Sequence, residues 1–218
     1  MELINSLVIR VKNKIFSSNS YILKDQKSDS CILIDPGLDI NSLEENLNNL
    51  YLNPIAILST HGHFDHISGV SFFKNKYKIP FFIHEGDLKI VQSLNFYLKI
   101  KKIDLKYETP KPDKIFKKNI EIINIDNFEL TVNHCPGHSN GSCIIKYHDY
   151  LFTGDMIYKK GLGINNFPGE DKIKLKSSIK GVFENFSENC IVYPGHGEPD
   201  YLSNIKNKNQ ELMEFLKF

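Results

Sequence analysis

One short stretch constrains this chain more than any other: Thr60-His61-Gly62-His63-Phe64-Asp65-His66, set directly behind the apolar run Pro54-Ile55-Ala56-Ile57-Leu58-Ser59. A run of that kind reads as a strand buried on both faces, so the histidines must emerge at its end. Three of the eight histidines and one aspartate fall within six residues. In extended backbone, positions two apart point to the same side, which lets His61 and His63 grip one ion together. Asp65 and His66 follow where the chain has to turn, and can face a second ion beside the first. Imidazole plus carboxylate, without thiolate, suits zinc, iron, manganese or nickel.

Three further segments repeat the arrangement. His138 lies in Cys135-Pro136-Gly137-His138-Ser139, Asp155 in Phe152-Thr153-Gly154-Asp155, and His196 in Tyr193-Pro194-Gly195-His196-Gly197. Each places a donor just past an expected strand, next to glycine that permits a tight turn. Loops at strand ends of a rigid scaffold are where sites gather. As a set, these residues complete two metal coordination shells. The other histidines are given other places: His84 starts a helix, His148 belongs to a hairpin turn, and His134 is either a core residue or a support for His138.

Periodicity and turn residues define the frame. Strands are expected at 7–11, 20–23, 30–35, 54–59, 80–83, 120–125, 129–133, 142–146, 150–152 and 190–193. Helices are expected at 41–52, 69–77, 86–97 and 171–186, with a terminal one from about Ser203. The basic stretch 99–118, carrying Pro110 and Pro112, reads as a surface insertion or lid. Two β-rich halves with interleaved helices imply two sheets packed face to face with helices outside, the halves coarsely mirroring each other. No composition break marks a second domain, so residues 1–218 are expected to form one.

With 41% hydrophobic and 24% charged residues, the composition is that of an ordinary globular protein. A net charge of +1 gives no electrostatic case for nucleic acid or an anionic membrane as partner. No apolar run approaches the roughly 18 residues needed to span a bilayer, and the start lacks the pattern of a signal peptide. A cytoplasmic protein is therefore expected. Its four cysteines, at 31, 135, 143 and 190, form no C-x-x-C pair and read as free thiols.

H-x-H-x-D-H followed by Pro-Gly-His, Thr-Gly-Asp and Pro-Gly-His-Gly resembles the metallo-β-lactamase superfamily, nearest to the hydroxyacylglutathione hydrolases (glyoxalase II) and their shorter single-domain relatives. The resemblance runs from Asp35 to Pro199. It implies an α/β (α+β) fold, a four-layer αβ/βα sandwich with the site at one edge of the sheets. It assigns His61, His63 and His138 to one metal, Asp65, His66 and His196 to the other, and Asp155 to a bridge between them. Asp35, in Ile34-Asp35-Pro36-Gly37, is either a plain turn aspartate or the acidic residue that supports the site in this superfamily.

Two divalent ions about 3.5–4 Å apart lower the pKa of a shared water toward about 7 and polarise a carbonyl. The expected enzyme is thus a hydrolase with two divalent ions, zinc first and iron or manganese next, acting on a small thioester or related ester. Asp65 is the expected catalytic residue, orienting the hydroxide or carrying a proton. The alternatives are an iron-dependent persulfide dioxygenase-like oxidoreductase and an intracellular lactonase. Shorter glyoxalase II-like proteins often carry Gly-Arg-Thr-Asp after the bridging aspartate, whereas this chain reads Gly163-Ile164-Asn165-Asn166. With 22 residues after His196, no counterpart is expected of the C-terminal helical domain that contacts glutathione in the longer enzymes. Lys206 and Lys208 read as surface lysines of a terminal helix.

Overall fold

A computed structural model describes residues 7–164 and 167–217. Asn165 and Asn166, where the sequence departs from Gly-Arg-Thr-Asp, lie outside the described residues. The chain falls into two compact units that meet in sequence between Lys117 and Lys118.

The first unit holds β1 (Val8–Lys12), β2 (Asn19–Lys24), β3 (Ser30–Ile34), α1 (Ile40–Asn49), β4 (Asn53–Leu58), α2 (Phe64–Ile67), α3 (Val70–Tyr77), β5 (Phe81–His84), α4 (Leu88–Gln92), α5 (Leu94–Ile100) and β6 (Lys114–Phe116). Its six strands pair in strict chain order. β1, β2 and β3 form antiparallel hairpins, and β3 to β6 run parallel. The apolar run ahead of the histidines is β4, with Ala56, Ile57 and Leu58 fully buried. Helix α1 starts where the Asp39 carboxylate accepts Ser42 N–H at 3.2 Å, and it buries Leu43 and Leu47 on one stripe.

The second unit holds β7 (Ile120–Ile125), β8 (Phe128–His134), β9 (Cys143–Tyr147), β10 (Tyr150–Gly154), α6 (Lys172–Asn185), β11 (Ile191–Pro194), β12 (Asp200–Tyr201), α7 (Leu202–Lys208) and α8 (Gln210–Lys217). These six strands also follow chain order in one sheet. Only β10 and β11 are parallel, joined through α6. Leu175, Ile179 and Val182 of α6 pack with Ile144, Leu151 and Val192 of the sheet. Asp171 starts α6 by accepting Ile173 and Lys174 N–H, both at 3.0 Å.

Three expectations need correction. The stretch 99–118 is not only a surface insertion, because it contributes β6 to the first sheet. Phe116 is buried there, and Asp113 accepts Phe81 N–H at 2.8 Å. The expected helix 86–97 is instead a short 3-10 turn followed by α4 and α5, divided at Ser93. The Ser93 hydroxyl bonds back to Lys89 O at 2.9 Å, competing with the helix ladder. The terminal helix is two helices, divided at Asn209.

Candidate metal centre

In the first unit the donors sit where β4 ends. His63 is extended at ψ 146° and N-caps α2, so the single helical turn 64–67 supplies the bend that brings Asp65 and His66 round. The ring of His61 lies 4.7 Å from that of His63 and 4.3 Å from that of His66, centroid to centroid. His66 Nε2 is 3.6 Å from Asp65 Oδ2. All four residues are buried.

The positions of these donors are set by Asp35 and Thr60. Asp35 Oδ1 accepts Thr60 N–H at 2.7 Å, and Oδ2 accepts the Thr60 hydroxyl at 2.6 Å. His66 Nδ1 lies 3.3 Å from the same Oδ2. The single Thr60 hydroxyl proton goes to the carboxylate, so at 3.0 Å the hydroxyl accepts from His61 Nδ1. Both imidazoles thus have Nδ1 engaged and present Nε2 as the donor atom, an arrangement metal-ligating histidines share. Between a plain turn residue and a support for the site, Asp35 is the support. It sits at φ +51°, which aspartate tolerates better than most residues.

Backbone contacts lock the rest of the motif. Gly62 N–H donates to Asp87 Oδ2 at 2.8 Å, and the Ser18 hydroxyl donates to Asp65 O at 2.9 Å. A Cβ on Gly37 would stand 2.2 Å from Asp65 O, so only glycine lets α2 come this close.

In the second unit, His138 Nδ1 donates to Gly163 O at 2.6 Å and therefore also presents Nε2. That Nε2 is 3.7 Å from Asp155 Oδ2, and His196 Nε2 is 3.4 Å from the same oxygen. One carboxylate oxygen thus serves two imidazoles. The loop carrying His138 is clasped by α6: Asp171 N–H donates to Gly137 O at 2.7 Å, and the Ser178 hydroxyl donates to Pro136 O at 2.7 Å. The Tyr158 ring meets the His196 ring edge-on at 5.8 Å.

The remaining histidines take structural places. His84 ends β5 and accepts Gly86 N–H at 3.1 Å, starting the 3-10 turn. His148 lies in the β9–β10 turn at φ +51°. His134 is not a core residue; its Nε2 meets Asn140 O at 2.8 Å, bracing the loop from 135 to 142. Lys206 pairs with Glu188 at 2.6 Å on the surface. Sequence reasoning missed Thr60, Asp87 and the Gly163 carbonyl as supports. Thr60 adjoins His61 and was findable on that ground. A backbone carbonyl carries no residue signal.

The donor chemistry fits a metal. Within the first unit alone, ligand atoms of Asp35, His61 and His66 lie within 4.8 Å of one another. All four cysteines are free thiols, and burial pushes Cys31 and Cys135 up to about 12, so neither offers a thiolate at neutral pH. The set is nitrogen and oxygen throughout, which suits zinc, iron or manganese alike.

Residues 14–214 match the family model of the metallo-beta-lactamase superfamily. The chain belongs to that superfamily. Among its superfamily relatives, a probable metallo-hydrolase, YqgX of Bacillus subtilis, is 32% identical over 85% of this chain and 88% of its own. The hydroxyacylglutathione hydrolase GloC of Haemophilus influenzae is 29% identical over 90% of this chain and 93% of its own. The crystal structure of TTHA1623 in a di-iron-bound form superposes with a TM-score of 0.82 at 26% identity, covering 93% of this chain and 98% of that one. The two mixed sheets are those of the metallo-β-lactamase fold. Membership makes the chain a metallo-hydrolase by family. Among the described residues, no helix is long and apolar enough to cross a membrane.

Proposed function

We propose that the chain is a dinuclear metal-dependent thioester hydrolase of the glyoxalase II type, working as one catalytic domain in the cytoplasm. In this reading His61, His63 and His138 hold one ion, Asp65, His66 and His196 hold the other, and Asp155 joins them. The observation that carries it is Asp155 Oδ2, within 3.7 Å of His138 Nε2 and 3.4 Å of His196 Nε2. A carboxylate set between two imidazoles of different ligand groups suits a two-ion site better than a one-ion site. The 29% identity to a hydroxyacylglutathione hydrolase supports the thioester class.

Two divalent ions held there supply a water whose pKa is lowered toward about 7 and a Lewis acid for the substrate carbonyl. The protein's part is orientation. Asp35 and Thr60 fix the tautomers of His66 and His61, and Gly163 O fixes that of His138. Asp65, with Oδ2 3.6 Å from His66 Nε2, would hold the ion through that oxygen, and would orient the attacking water and take its proton with the other. Zinc is the metal of this reading; the di-iron form of TTHA1623 makes iron the comparison to run.

The test is metal analysis of protein purified from its native source, paired with turnover of S-lactoylglutathione, a lactone and a β-lactam. Two metals per chain and preferential thioester cleavage are expected. One iron per chain with oxygen uptake on glutathione persulfide overturns the reading in favour of a dioxygenase. Turnover of the lactone alone overturns the substrate class while leaving the metal site standing.

A further inference from the structure

Asn209 separates α7 from α8 and is only 2% exposed. Its side chain makes four hydrogen bonds. Oδ1 accepts Leu212 N–H at 3.1 Å, the usual cap of α8, and also accepts Gly161 N–H at 3.2 Å. Nδ2 donates to Tyr158 O at 3.0 Å and Gly161 O at 2.8 Å. Both donor hydrogens and both acceptor positions of the amide are used. A helix cap needs only the first of these bonds; the other three fasten the loop that follows Asp155.

That loop touches every proposed ligand of the second unit. Tyr158 lays its ring edge-on to His196. Ile157 and Leu162 bridge across the loop, closing it around Asn209. At its far end Gly163 passes so close to Asp155 that a Cβ would stand 1.6 Å from Asp155 O, and its carbonyl holds His138 Nδ1. Displacement of the loop therefore moves supports of His138, Asp155 and His196 together.

We propose that Asn209 is a positioning residue for the metal centre, acting through residues 158–163 to set the geometry of His138, Asp155 and His196. The proposal rests on the two-ion reading above. It gives the C-terminal helices a role in the site that involves no contact with substrate.

The test compares Asn209→Ser, Asn209→Leu and, as a control, Asn185→Ala, whose amide makes a single exposed bond to Gly181 O. Serine still caps a helix but is too short to reach the Tyr158 and Gly161 backbone. Cobalt(II) affinity and the visible spectrum of the cobalt-loaded protein are measured, with thermal unfolding of the metal-free forms alongside. Asn209→Ser is expected to bind cobalt roughly 10–100-fold more weakly, with an altered spectrum and an unfolding midpoint near that of the parent. Asn209→Leu is expected to lose at least as much affinity and stability besides; if it does not fold, the serine variant decides. Asn185→Ala is expected to match the parent in both readouts. A parent that takes up two ions while Asn209→Ser matches it in affinity and spectrum overturns the positioning role alone. A parent that takes up no cobalt overturns the two-ion reading and the positioning role with it.

Discussion

Asp35 Oδ2 accepts the hydroxyl proton of Thr60 at 2.6 Å, joining the end of β3 to the first residue before the histidine motif. The same carboxylate also receives Thr60 N–H and His66 Nδ1. Asp35→Ala leaves these donors buried without their acceptor and places alanine at a positive φ. A loss of about 3 kcal/mol is expected in urea unfolding of the metal-free protein. The Asp35→Asn substitution tolerates that φ and keeps one acceptor oxygen, so its loss is smaller. Equal losses in the two variants would show that the hydrogen bonds are not what the site depends on.

In the two-ion reading, Asp155 serves both ligand groups. Asp155→Ala is expected to lower bound metal from about two ions per chain to one or fewer, and kcat by about three orders of magnitude. Metal analysis by plasma emission and a thioester assay check this together. Removal of metal by a chelator is expected to abolish turnover, and added zinc to restore it in the parent but not in the variant.

Two glycines allow a paired prediction. Gly163→Ala forces a methyl into the Asp155 carbonyl, and in the two-ion reading kcat/KM is expected to fall about a hundredfold or more as the proposed ligands shift. Gly181→Ala, within α6 and with its nearest neighbour at 3.8 Å, is expected to leave kcat/KM alone. It raises stability by about 0.5–1 kcal/mol, because alanine favours the helix. Steady-state kinetics and thermal melts separate the two effects.

The buried thiols set an alkaline limit. Burial raises the Cys31 thiol from 9.0 to about 12, so between these values the unfolded chain releases a proton that the folded chain keeps. The sign follows: this contribution is fully present below pH 9 and is lost as pH rises toward 12, at up to about 1.4 kcal/mol per pH unit. Cys31→Val is expected to flatten the decline, measured by urea unfolding from about pH 8 to about pH 11. In the folded parent at about pH 8, Cys31 is expected to resist an aromatic disulfide reagent that labels it once the chain is unfolded.

Most of the frame was legible because its strands announce themselves. β3, β4 and β5 are short apolar runs bounded by turns, and the expected limits of β7 are the observed ones. The metal-ligand candidates were legible because histidine is scarce here and each one follows a strand. What escaped depends on long-range partners. β6 is three residues long, with two of them exposed, and it exists because β5 offers it an edge. β12 is a two-residue strand lying against β11. The division at Ser93 follows from a side chain competing with its own backbone, which periodicity does not register. Asp87 and Asn209 look like ordinary loop polar residues in sequence, and only their burial and the backbone groups they meet mark them out.

Both sheets add their strands in the order of synthesis, so no strand waits for a later one to reach its neighbour. A chain leaving the ribosome can complete β1 to β6 while the residues after Lys117 are still being made. The nascent protein thus owns His61, His63, His66, Asp35 and Asp65 well before Asp155 exists. In the two-ion reading, selection of the correct ion would be deferred to the last stretch of translation, when the proposed ligands Asp155 and His196 are added.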